Sequence, residues 1–142
     1  MVEICKEEME HFDMVHKKIL ERGFSMGFER KDPYVKDLNS YLKQNHSNSS
    51  RESHFVNQML FAAMIEARSC ERLKILSEQL DDPDLKSFYR MLMKSEARHC
   101  MTFLKFAKKY SYSIDVVERW KLFLKFEAGL MKKYGKEQTM HG

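Results

Sequence analysis

Five ionisable side chains fall where a helical sequence should be apolar, and their types and spacing are those of metal ligands. Glu8 and His11, and again Glu96 and His99, form two Glu-x-x-His pairs, while Glu66 stands alone between them. Residues three apart share one face of an α-helix, roughly 60° apart around its axis, so the two side chains of each pair could bind one metal ion together. Carboxylates can bridge two ions while each imidazole completes the shell of one, and these donors suit iron and manganese alike. Without such a partner, a carboxylate in a dry interior is strongly destabilising or takes up a proton.

Helices must position these residues, and the sequence marks where they begin and end. A first helix is expected from about 3 to 22, closed by Gly23 just beyond its C-terminus. After a loop over 23–32, Asp32-Pro33 supplies a cap and a first-turn proline for a short helix to about Lys43. The polar run Asn45-His46-Ser47-Asn48-Ser49-Ser50 ends it, and Ser49 with Glu52 matches a capping box for a helix to about Leu80. Asp82-Pro83 repeats the start signal for a helix to about Tyr110; Ser111-Tyr112-Ser113 breaks it, and a last helix spans about Asp115 to Tyr134.

The apolar stripes of these helices locate the five residues. In the third helix the stripe steps through Phe55, Met59, Ala62, position 66, Ser69 or Cys70, Leu73 and Leu80, the four-three rhythm of a bundle seam. The next steps through Leu85, Tyr89, Leu92, positions 96 and 99, Phe103, Phe106 and Tyr110. In the first, Ile4 and Val15 bracket positions 8 and 11. Two Glu-x-x-His pairs plus a lone Glu, all in register with three seams, form the inward pattern of ferritin-like di-iron and di-manganese bundles. The expected fold is therefore an all-α, ferritin-like antiparallel helical bundle.

Other residues take plainer readings. His16 lies about 140° around the helix from His11, and Glu71 about 140° from Glu66, so Asp13, His16 and Glu71 read as surface or salt-bridging groups. The eleven Met and ten Phe are bundle filling, some of them lining a pocket above the metals, and Cys70 and Cys100 read as buried packing thiols. His46, His54 and His141 fall in loops or at helix ends.

Composition sets the outer limits. At 142 residues the chain fits a single domain over 1–142, and 43% hydrophobic and 32% charged residues with five Gly and two Pro describe a folded protein of long helices. There is no uninterrupted apolar run of membrane-spanning length, and the acidic start Met1-Val2-Glu3-Ile4-Cys5-Lys6-Glu7-Glu8 is unlike a signal peptide, so a cytoplasmic protein without membrane contact is expected. Cys5, Cys70 and Cys100 form no CxxC pair, which argues against a disulfide framework or zinc knuckle. The net charge of +4 is mild, but Lys105, Lys108 and Lys109, and Lys132, Lys133 and Lys136, gather basic excess that could meet a polyanion.

The strings Ile65-Glu66-Ala67-Arg68-Ser69-Cys70-Glu71-Arg72 and Ser95-Glu96-Ala97-Arg98-His99, with Glu7-Glu8-Met9-Glu10-His11-Phe12 upstream, resemble the tRNA hydroxylases that modify 2-methylthio-N6-isopentenyladenosine. The resemblance runs over nearly the whole chain. It implies two non-haem irons that use O2 and an external electron donor to hydroxylate the isopentenyl group of the adenosine beside the anticodon of tRNA. It also implies the same five ligands: Glu8, His11, Glu66, Glu96 and His99.

The chain departs from that family in starting at what resembles the second bundle helix, so the family's first helix, with its terminal Glu ligand, is expected to be missing. Glu3, Glu7 and Glu10 lie off the seam and are poor replacements. A seam left open would favour a homodimer or aggregation. Two rival expectations follow: a truncated, non-catalytic metal-binding bundle, or a di-iron oxidase acting on a small molecule. Arg68, Arg72 and Arg98 are candidates to orient carboxylates, dock phosphates or form ordinary salt bridges.

Overall fold

The computed structural model describes residues 1–28, 31–45 and 50–134. Among them are five α-helices and no strand: α1 (Val2–Glu21), α2 (Pro33–Asn45), α3 (Arg51–Gln79), α4 (Pro83–Lys109) and α5 (Val116–Tyr134). The all-α class read from the sequence is the class observed. Ser49, Lys136, His46 and His141 lie outside the described residues. The chain divides into two compact units, residues 1–31 and 32–142.

The first unit is α1 and the segment after it. Its end is set by Gly23, whose φ of 74° is open to glycine at little cost. The Gly23 and Phe24 N–H groups donate back to the carbonyls of Leu20 and Ile19, satisfying the last turn.

In the second unit, each helix start has a side chain that satisfies the orphan N–H groups of the first turn. Asp32 accepts from the Val35 N–H (3.2 Å), Asp82 from Asp84 and Leu85 (2.9 and 3.1 Å), and Asp115 from Val117 and Glu118 (both 3.0 Å). The start of α3 differs from the expectation: Ser50, not Ser49, is the cap, accepting from the Ser53 N–H at 3.2 Å. Nor does Glu52 close a capping box; its carboxylate turns instead to the loop between α4 and α5. There it accepts from the N–H groups of Tyr112 and Ser113 (2.5 and 2.8 Å) and from the Ser113 hydroxyl (2.8 Å). With the Ser111 hydroxyl at 3.3 Å, four donors held against one carboxylate outcompete the single local N–H that the box would have offered.

α3 is the central element of this unit. Residues 80–82 join it to α4, and the two pack along their length as an antiparallel hairpin, burying Met59, Ala63, Leu73, Leu92 and Phe103. On its other side α3 meets α2 and α5, which also pack against each other. Tyr34, Leu38, Leu42, Met64, Phe123 and Leu130 form that second core, with Phe61 and Ile65 of α3 against it. Helix geometry explains the division: Phe61, Met64, Ile65 and Arg68 sit on the side of α3 roughly opposite Glu66. Tyr110, expected as the last position of the α4 seam, is the C-cap and 44% exposed, yet its ring still packs edge-on against Phe55, the first position of the α3 stripe.

Candidate metal centre

Glu66 from the middle of α3 and Glu96 and His99 from the middle of α4 converge in the second unit. Each presents a ligand atom, and these atoms lie within 4.8 Å of one another. Glu96 and His99 are buried, His99 at 1% exposure, and Glu66 is half-buried. The antiparallel hairpin produces this meeting, since it sets the centre of α3 opposite the centre of α4. Leu92 and Phe103, one turn before Glu96 and one turn after His99, are buried on the same stripe and keep water from it.

The remaining pair belongs to the first unit. Glu8 and His11 share one face of α1, with the His11 Nδ1 3.6 Å from the Glu8 Oε1. Asp13 and His16, read as lying off the seam, find their partners on α1 itself. Asp13 is exposed and ion-paired with Lys17 at 2.6 Å, and His16 stacks on Phe12 with ring centroids 6.2 Å apart.

The donor chemistry of the convergent residues suits a hard or borderline divalent ion. It consists of carboxylate oxygens and an imidazole nitrogen, with no thiolate. Cys70 and Cys100 lie nearby in sequence, but burial pushes both thiols up, reinforced by Glu96 and Glu71 at Cys70 and by Glu66 at Cys100. A thiol held protonated is a poor ligand. The Cys70 thiol instead contacts the Met93 carbonyl across the hairpin at 3.6 Å, as a packing residue does.

Behind the carboxylates lies a polar cluster that the sequence reading missed. Glu127 of α5 is buried; it accepts from the Tyr34 hydroxyl at 3.4 Å, and the Arg68 Nε lies 3.4 Å from the same oxygen. Arg68 also pairs with Glu71, so Glu71 is the salt-bridging residue its position on α3 suggested. Burial raises the Glu127 pKa, and the Arg68 cation opposes that shift. The same burial, with Glu127 beside it, pushes the Tyr34 hydroxyl far up. Glu127 is engaged by a cation and a hydroxyl donor rather than by other carboxylates, which makes it a tie between α2, α3 and α5. Its signal was present in the sequence: Val116, Trp120, Phe123, Glu127 and Leu130 step along a seam interrupted by one acid. Arg98, another arginine beside the candidate ligands, donates to the Ser95 hydroxyl at 3.0 Å.

Comparison with known proteins gives this geometry a context. The model of the MiaE family, described as tRNA-(MS2IO6A)-hydroxylase, matches residues 1–142. A tRNA 2-(methylsulfanyl)-N(6)-isopentenyladenosine(37) hydroxylase of Salmonella typhimurium is 33% identical over 144 residues, covering 99% of this chain and 50% of that protein. The enzyme of the same name from Pseudomonas putida is 30% identical over 141 residues, covering 99% of this chain and 66% of that protein. The chain thus spans between half and two-thirds of the length of these relatives. No solved structure matches it.

Proposed function

Since the chain belongs to the MiaE family of tRNA hydroxylases, we propose that it is an O2-dependent di-iron monooxygenase, acting on the isopentenyl group of 2-methylthio-N6-isopentenyladenosine in tRNA. The observation that carries this reading is the convergence of Glu66, Glu96 and His99, two carboxylates and an imidazole from two helices within 4.8 Å. Seam spacing in the sequence proposes Glu8 and His11 of α1 as the remaining ligands.

Two irons held there would activate O2: one oxygen atom enters an allylic C–H bond as hydroxyl, and two electrons and two protons from an external donor convert the other to water. The chain's own residues supply the setting for that chemistry. Glu66 and Glu96 offer four carboxylate oxygens, enough to bridge or chelate as the charge they face changes. The His99 imidazole adds a nitrogen donor. Leu92, Phe103 and Ala63, buried one turn away from the ligands, exclude bulk water and protect against side reactions. The Arg68–Glu127–Tyr34 cluster holds the back of α3 against α2 and α5, which limits movement of the helix that carries Glu66. The substrate and the absence of an apolar, membrane-length helix among the described residues both suit work in the cytoplasm.

The test is product formation. Iron-loaded protein, reductant and O2 are incubated with tRNA bearing the isopentenylated nucleoside, and digested nucleosides are weighed by mass spectrometry. A gain of one oxygen atom, labelled when 18O2 is supplied, is the expected result. Iron binding with no oxygenated nucleoside would favour a non-catalytic metal-binding bundle; oxidation of small alkenes but never of tRNA would favour a small-molecule oxidase.

A further inference from the structure

The exposed corner where α4 ends and α5 begins is not used by the metal centre, and three of its features bear on what it can bind. Lys105, Lys108 and Lys109 are all exposed on the last two turns of α4. Tyr112, in the connecting loop, is 88% exposed, an unusual placement for so large a ring. The loop that carries it is nonetheless held tightly by the three hydrogen bonds from Tyr112 and Ser113 to Glu52. Tyr110, just before it, is fixed edge-on to Phe55 with centroids 5.6 Å apart, and the Lys109 ammonium lies 5.4 Å from the Tyr110 ring centre.

The nearby acids do not cancel this basic character. Glu118 pairs with Lys121 at 2.5 Å, and although Glu52 and Asp115 keep their charge, their oxygens are turned to loop and helix N–H groups and hydroxyls, so the three exposed lysines are left in excess. Lysines in a last turn also complement the helix dipole, which accounts for Lys108 and Lys109 but not for Lys105 or for a presented, immobilised aromatic. A rigid loop offering a bare ring beside cations is the arrangement that binds unpaired nucleic acid: a base stacks on the ring and phosphates meet the ammonium groups. Lys105 lies six residues beyond His99, roughly 9 Å along α4 at the rise of an α-helix, so a strand bound at the corner could place a base a few nucleotides away at the metal centre.

Resting on the tRNA reading above, we infer that the α4–α5 corner is the docking surface for the single-stranded loop of the RNA substrate, with Tyr112 stacking on a base and Lys105, Lys108 and Lys109 contacting phosphates. The experiment measures binding of the iron-loaded protein to a fluorescent anticodon stem-loop carrying the isopentenylated adenosine, over a series of salt concentrations. Lys108→Ala with Lys109→Ala should weaken binding and flatten the slope of log affinity against log salt by about 1.4, at about 0.7 per phosphate contact in a single strand. Tyr112→Ala should weaken binding about 5- to 160-fold, the loss expected for one base–aromatic stack, while Tyr112→Phe should bind as the parent does. Lys94→Ala with Lys125→Ala, which removes two exposed lysines elsewhere, should leave the slope unchanged. If the corner variants bind RNA as the parent does while the parent forms product, the corner inference is overturned and the enzymatic reading stands. If the parent binds through the corner but forms no product, the enzymatic reading fails and the corner stands. A parent that binds no RNA overturns both.

Discussion

Among the acids and histidines of this chain, position relative to an apolar stripe is what separates a proposed ligand from a surface group. Glu66 interrupts the α3 stripe and meets Glu96 and His99, whereas Asp13, chemically similar, pairs with Lys17 in solvent. Glu66→Ala should therefore abolish iron binding at one or both positions, and Asp13→Ala should leave it intact. Iron per chain after gel filtration is the readout, and equal loss in both variants would sink the seam assignment. The same stripe logic could have found Glu127, since it too interrupts a seam; what it could not foresee is that a partner from another helix, Arg68, would claim the carboxylate. An acid on a seam announces that something binds it, and only tertiary packing says whether the partner is a cation of the protein or a metal.

At the scale of elements, helix limits were readable because the signals are local. Asp32-Pro33, Asp82-Pro83, Asp115 and Gly23 each act through side-chain or backbone groups within a few residues, and each lies at a helix end as expected. Glu52 shows where local reasoning stops. Its spacing from Ser49 suggested a box that closes on the chain beside it, yet its partners are loop residues some 60 positions away. Those donors hold its carboxyl down at about 2, against an ordinary 4.5, with the Ser113 and Tyr112 N–H groups contributing most. A depressed pKa stabilises the folded state above the unfolded pKa, and the contribution disappears as pH falls through the folded one. The stability difference between the parent and Glu52→Gln should thus be constant from neutral pH down to about pH 5, then close between about 4.5 and 2. Urea midpoints measured across that range test it, and a gap that stays open at pH 2 would mean that the ionised carboxylate is not what clamps the loop.

At the scale of the whole molecule, the all-α class, the five helices among the described residues and the convergence of Glu66, Glu96 and His99 followed from periodicity and caps, because a bundle seam is a one-dimensional pattern. Membership of the hydroxylase family agrees with motifs quoted from the sequence itself. Less accessible were the ties that hold α2 and α5 on the far side of α3, since Tyr34, Arg68 and Glu127 come together from three separate stretches of chain. The proposed chemistry requires the complete ligand set to act as one site for two ions. Anaerobic titration of the purified chain with Fe(II), followed by visible spectroscopy on admitting air, tests this most directly. Two irons per chain, oxidised together, are the predicted result; a plateau at one iron or none would contradict a di-iron centre built from these five residues.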